Sequence, residues 1–386
     1  MAKILFVVPP LTGHINPTRG VGAALLAAGH QVGWCGHGDA VRDLPDGAEF
    51  FALGADTSGI AAEVLEESKT LRGLRSVKFF FEKFLVPLAH AMVPGVDRVV
   101  ESWSPDLMVV DQQALAGSIV ARQRGIRWMT SCTTSASIVE PLETFPAIAA
   151  WQDELLASVQ REHGLVVWRR PGLSPDGVLV FSSELLAGGP REGVEFVGPV
   201  ATGRPEVPFP WDELQGRRRV LVSLGTVSFL RGASFYKAVV EGLGGTDLQV
   251  ILVAPESLVP DPPGNILRCD YVPQVQLLSH VDAVVSHGGH NTVVESLSAG
   301  KPLVLAPIRD DQPIVANQVV AAGAGLRVKF GRVRPQVLHD AVFRVLDNDD
   351  YSLAAERIGR SLRTAGGASR AVELIEALLE REGGSA

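Results

Sequence analysis

The sequence predicts an α/β protein built of two doubly wound domains, and three observations carry that expectation. Short apolar runs alternate with helical patterns almost throughout, the signature of parallel sheets covered by helices. The chain has 386 residues, more than one ordinary core holds and about right for two. A stretch at 198–216, with Pro199, Pro205, Pro208 and Pro210 and little apolar periodicity, separates two sets of strands as an extended linker would.

The elements follow in chain order. Ile4–Val8 reads as a strand, Pro17–Ala28 as a helix opened by its proline and closed by Gly29, and Gln31–Cys35 as the next strand, which makes one βαβ unit. A second unit runs from the strand Leu107–Val110 through a helix near Ala114–Arg124 to the strand Ile126–Ser131. The same grammar recurs at Val220–Leu224, Gln249–Val253, Ala283–Ser286 and Leu303–Ala306. Helical patterns fill the chain from Pro335 onward. The last, Ser369–Arg381, sets Val372, Ile375, Leu378 and Leu379 on one apolar face that must pack somewhere. The expected division is a first domain at 1–198, a linker at 199–216, a second domain at 217–366 and a terminal helix within 367–386.

Composition narrows the function. With 46% hydrophobic and 20% charged residues there is ample material for two cores. A net charge of −8 argues against a nucleic-acid partner, because neutralising phosphates takes clustered Lys and Arg. The three cysteines, Cys35, Cys132 and Cys269, form no C-x-x-C pair, fit neither a disulfide framework nor a zinc site, and suit a reducing cytoplasm. Ile4–Val8 is stopped by Pro9 and Pro10, too short a run for a secretion signal or a membrane span.

The densest chemistry lies at Ser286-His287-Gly288-Gly289-His290-Asn291-Thr292, between a buried strand and a helix reaching about Ala299. Two glycines let a ligand approach the backbone, and the helix start offers N–H groups to an anion such as a diphosphate. The His–Gly–Gly triplet alone reads equally well as a plain strand–turn–helix corner. Asn291 and Glu295, four apart, share a helix face. After the strand Leu303–Ala306, Pro307-Ile308-Arg309-Asp310-Asp311-Gln312 brings a carboxylate and an amide to the same edge, where open α/β sheets bind ligands. Thr226 and Ser228, behind the strand Val220–Leu224, are read alone as a turn. His14 follows the first strand in a loop, and Asp111 ends the strand Leu107–Val110. Two βα units thus place these side chains on one sheet edge.

Tyr271-Val272-Pro273-Gln274, His287, Asn291, Glu295, Asp311 and Gln312 recur at spacings that resemble the donor-binding signature of family 1 glycosyltransferases, the group of plant and antibiotic-producer UDP-sugar transferases. The resemblance covers both domains and is densest from Tyr271 to Val320. It implies the GT-B fold of two facing doubly wound Rossmann-like domains, with the acceptor in the first, the donor in the second, and the final helix crossing back to the first. Position by position, it implies that Tyr271 and Val272 flank the base, with Gln274 beside them. His287, Gly288, Gly289, Asn291 and Thr292 would hold the diphosphate, Thr226 and Ser228 would face it, Glu295 would bridge ribose hydroxyls, and Asp311 and Gln312 would bind the sugar. His14 is implied as general base and Asp111 as its partner. Plant members usually carry tryptophan where Tyr271 and His290 stand.

The implied reaction is a single inverting displacement with a nucleotide diphosphate sugar as co-substrate, UDP-glucose favoured, and no metal or other cofactor. Asp347-Asn348-Asp349 matches a metal-binding D-x-D but sits in a polar turn with no buried strand before it. For the apolar small-molecule acceptor the aromatic candidates are Phe79, Phe80, Phe84 and Phe145, which read as pocket wall or as core. A nucleotide-sugar epimerase and a dTDP-deoxysugar-dependent antibiotic glycosyltransferase stand as alternatives. A dinucleotide oxidoreductase is disfavoured, because no G-x-G-x-x-G follows the first strand. The expected assembly is a monomer or homodimer.

Overall fold

The computed structural model describes residues 1–37, 44–54, 74–138, 145–200, 207–214, 216, 218–225 and 232–381. The chain divides into two compact units, one of Met1–Ser182, Pro190–Gly203 and Ala365–Ala386, the other of Ser183–Gly189 and Arg204–Thr364. The early excursion Ser183–Gly189 has no counterpart in the sequence pattern. Its one-turn helix Glu184–Ala187 is capped by Ser183 Oγ and packs on the helices Gln312–Ala321 and Asp349–Arg363, where Ser361 Oγ meets Ser183 Oγ at 2.9 Å.

The first unit contains β1 (Lys3–Val7), β2 (Gln31–Gly36), β3 (Glu49–Ala52), β4 (Leu107–Asp111), β5 (Trp128–Cys132), β6 (Val178–Val180) and β7 (Val194–Phe196). They form one sheet in the order β3-β2-β1-β4-β5-β6-β7, every neighbouring pair parallel. Side chains alternate across a strand, so a sheet covered on both faces needs apolar residues at every position. Accordingly Leu5, Val7, Met108 and Val110 pack under the helices Val86–Trp103 and Leu115–Arg124. Ile4, Phe6, Leu107 and Val109 pack on the other face, with Ala371, Val372, Ile375 and Leu378 of the terminal helix Gly367–Glu380. That is where its apolar face goes.

Two local expectations need correction. The first helix is Thr12–Ala27, with Pro17 inside it. A proline deletes one ladder hydrogen bond without ending a helix whose remaining turns are packed, and the carbonyl of Leu11 already accepts from His14 N at 2.9 Å. His14 therefore stands on the first turn of a helix and not in a loop. The stretch 75–103 is, by length and composition, a helix able to cross a membrane. It carries a π-helical turn at Phe80–Leu85 and buries Leu88, Met92, Val96 and Val100 in the core of this unit.

The second unit contains β8 (Arg219–Ser223), β9 (Gln249–Val253), β10 (Ile266–Cys269), β11 (Ala283–Ser286), β12 (Leu303–Leu305) and β13 (Gly325–Arg327). Their order is β10-β9-β8-β11-β12-β13, again all parallel. Val220, Val222, Val250, Leu252, Val285 and Val304 pack with Phe235, Tyr236 and Val239 of the helix Ala233–Leu243 and with Leu338, Val342 and Val345 of the helix Pro335–Asp347. The D-x-D letters are a helix junction here. Asp347 pairs with Arg218, and Asn348 Oδ1 accepts from Asp350 N at 3.0 Å to cap the next helix.

In each sheet the chain lays strands outward on one side of its first strand and then starts again on the other side. The reversal falls between β1 and β4 in the first unit and between β8 and β11 in the second. At such a point the two flanking connections leave in opposite directions and open a crevice at the carboxyl ends of the strands, where ligands of this architecture bind.

Candidate active site

At the first reversal the parallel register sets Val7 beside Val110, so the residues just beyond the two strand ends are neighbours despite their distance in sequence. His14 on the opening helical turn reaches Asp111 at the end of β4. Its Nδ1 lies 3.0 and 2.9 Å from the two carboxylate oxygens. The Asp111 side chain has no exposed surface, while that of His14 is 15% exposed. A buried carboxylate needs hydrogen-bond donors, and Asp111 Oδ1 also accepts from Gln113 N at 2.8 Å. The carboxylate thereby fixes the proton on Nδ1 and leaves Nε2 as the basic nitrogen.

A third side chain reaches the same ring: Thr133 Oγ1 lies 3.0 Å from His14 Nδ1 and is buried. Thr133 was not singled out in the sequence. The signal for it is its position directly after β5, the strand that pairs with β4, because every residue following a central strand at this edge is a candidate.

At the second reversal, β8 ends at Ser223 and β11 at Ser286, cross-strand partners in register. His287 emerges from β11 and its ring is held between two glycines. A Cβ on Gly225 would lie 2.7 Å from His287 Cε1, and one on Gly289 would lie 2.6 Å from His287 Nε2. Gly225 and Gly289 thus make room for the imidazole. Gly288, at φ +85°, supplies the turn, and its amide donates to Ser286 Oγ at 3.2 Å. The helix His290–Ser298 then starts with Gly289 as its N-cap residue, an end with no side chain to cap it. Burial pushes the His287 imidazole down to about 4; Arg309's positive charge acts in the same direction, and the backbone carbonyl of Ser223 opposes it. The ring is neutral near pH 7, and its single N–H is shared with the Ser223 carbonyl.

The other donor-side candidates gather round this turn in part. Gln274, opening the short helix Gln274–Leu277, donates through Nε2 to Glu295 Oε2 at 2.6 Å, and Glu295 is buried. Asn291 and Thr292 are half-buried on the first turn of their helix. Tyr271 is 59% exposed, and Val272 beside it is buried. Asp311 is half-buried at the start of the helix Gln312–Ala321. Gln312 Oε1 accepts from the amides of Ile308 and Arg309 at 2.9 and 3.1 Å, so its oxygen holds its own loop and only the amide nitrogen can serve a ligand. Thr226 and Ser228 lie outside the described residues.

The aromatic candidates separate. Phe84 is 3% exposed within the core of the first unit, which favours the core reading over the pocket wall. Phe80 is half-buried and packs edge-on with Phe81 and tilted against Phe84. Phe79 is half-buried at the same turn, and Phe145 is 49% exposed.

The chain resembles known proteins over nearly its whole length. Residues 237–376 match the family model of the erythromycin biosynthesis protein CIII-like C-terminal domain. The chain is 28% identical to an uncharacterized UDP-glucosyltransferase, YojK, of Bacillus subtilis, over 99% of this chain and 98% of that one. It is 27% identical to 4'-demethylrebeccamycin synthase of Lentzea aerocolonigenes, over 98% of this chain and 100% of that one. Among solved structures, the glycotransferase of kitacinnamycin superposes with a TM-score of 0.78 at 25% identity, over 98% of this chain and 99% of the other.

Proposed function

We propose that the chain, a glycosyltransferase of the GT-B fold similar to family 1, is an inverting, metal-independent enzyme that moves a hexose from UDP-glucose to a hydroxyl of an apolar natural product. The observation that carries this is the His14–Asp111 pair, 2.9 Å across at the first reversal of strand order. With its Nδ1 proton held by Asp111, His14 takes the acceptor's proton at Nε2. The acceptor oxygen attacks the anomeric carbon while the bond to the diphosphate breaks on the opposite face, so configuration inverts. The departing diphosphate is met beside His287 by the amides at the start of the helix His290–Ser298, fixed dipoles that need no reorganisation. Tyr271 stacks on the base, and Asp311 with the Gln312 amide nitrogen meets the sugar hydroxyls. Kinship with a protein named for UDP-glucosyl transfer and another named for demethylrebeccamycin synthesis supports a nucleotide-sugar donor and a natural-product acceptor.

One contact favours a second reading of the donor. Because Gln274 already occupies one oxygen of Glu295, the carboxylate meets the ribose with reduced capacity, and loss of the 2′-hydroxyl costs nearer to about 1 kcal/mol than 3. A dTDP-sugar is then a competent, weaker donor. Mass spectrometry of products from phenolic, polyketide and terpenoid acceptors, each with UDP-glucose and dTDP-glucose in competition, tests both points. The expected result is a hexose adduct on at least one acceptor class with UDP-glucose preferred several-fold, the preference narrowing in Glu295→Ala. A preference for dTDP-glucose unchanged in Glu295→Ala contradicts the ribose assignment, and a sugar altered without any acceptor contradicts transfer.

A further inference from the structure

The loop after β12 carries a cation that the mechanism above does not use. Arg309 lies in Pro307–Gln312, and its side chain is only 9% exposed, unusual for a group that costs several kcal/mol to bury unless paired. One of its partners is Asp310, whose Oδ2 is 3.2 Å from Arg309 Nε and whose own side chain is 49% exposed. Asp310 reaches this position with φ +55°, a left-handed conformation that side-chain-bearing residues adopt at a cost. The loop is also braced from within, since Gln312 Oε1 accepts from the amides of Ile308 and Arg309. It lies against the histidine turn: the carbonyl oxygen of Gln312 is 3.3 Å from where a Cβ on Gly288 would be. The shielded Arg309 therefore belongs to a loop packed against the turn that carries His287.

We propose that Arg309 is a diphosphate-binding residue of the donor site, held in reserve by Asp310 until the diphosphate of a nucleotide sugar displaces that carboxylate. This rests on the donor reading of the His287 turn. A guanidinium matches phosphate oxygens in a bidentate geometry and keeps its charge at any working pH. In a shielded site its attraction for the leaving diphosphate grows as the glycosidic bond breaks, so it serves departure as well as binding. In the structure Asp310 offsets part of that shielded positive charge.

The test is calorimetry of UDP, UMP, UDP-glucose and UDP-glucuronate with the full-length parent, Arg309→Gln, Arg309→Lys, Asp310→Asn and His287→Ala, each first checked for an unchanged melting temperature. Arg309→Gln should weaken UDP and UDP-glucose about 10- to 100-fold and UMP far less, and should flatten the salt dependence of UDP binding. Arg309→Lys should recover part of the loss, and Asp310→Asn, which removes the competing carboxylate, should bind UDP at least as tightly as the parent. If His287→Ala weakens UDP while Arg309→Gln does not, the Arg309 assignment is wrong and the donor site stands. If neither does, the donor site itself is misplaced and the Arg309 assignment falls with it. A loss confined to UDP-glucuronate, with free UDP bound as before, makes the recognised anion a uronic carboxylate and overturns the diphosphate assignment.

Discussion

The two reversals of strand order share one topology and hold different chemistry. Beyond β1 and β4, a partly exposed imidazole is tied through Nδ1 to a carboxylate with no exposed surface. Beyond β8 and β11, an imidazole is walled by glycines and burial pushes its pKa down. A carboxylate partner makes a histidine a better base and stabilises its charged form, whereas burial keeps it neutral. On the proposed reading the carboxylate beside His14 marks the edge that moves a proton, and the burial of His287 marks the edge that seats an anion. The site at β1/β4 is predicted to control rate, the site at β8/β11 donor affinity.

The largest effect expected from breaking this contrast is at Asp111. In Asp111→Asn the amide can donate to Nδ1, which favours the tautomer with its proton on Nε2 and removes the base. The rate of transfer should fall about 1,000- to 10,000-fold, with UDP affinity by calorimetry unchanged. A matching loss of UDP affinity would show that the two edges do not divide the work.

A smaller effect sharpens the contrast at His287. Its pKa in the folded protein, about 4, lies below the unfolded value of about 6.5. Between those values the unfolded chain binds a proton that the folded chain does not, so the stability contributed by the neutral ring is complete above about pH 6.5 and is lost as pH falls towards 4. The ceiling is about 3 kcal/mol. Melting temperatures measured from pH 7 to 4.5 should fall more steeply for the parent than for His287→Asn, and parallel curves would mean the ring is not held neutral.

Much of this was legible in the residues, and the gaps have physical causes. The central strands β1, β4, β9 and β11 announce themselves because burial on both faces demands unbroken apolar runs. β3, β6, β7, β10 and β13 were missed: they are three or four residues long and lie towards the sheet edges, where neither length nor two-sided burial leaves a pattern. His14 and Asp111 could be paired from sequence because adjacent parallel strands align the residues after them. Thr133 obeys the same rule one strand further out and was overlooked. The start of the first helix was misplaced because Pro17 looks like a helix opener, although the packed helix tolerates it internally. Arg309 was invisible as a functional group, since a sequence does not tell a buried guanidinium from the usual solvated one.

The most direct test of the account is His14→Ala, assayed for transfer to an alcohol acceptor with saturating UDP-glucose and, in parallel, for UDP binding. The account predicts a rate about 100- to 10,000-fold below the parent with UDP affinity intact, because the base acts on the acceptor and the nucleotide is held by the other unit. Near-normal turnover by His14→Ala would contradict it and take the proton-accepting role away from the β1/β4 edge.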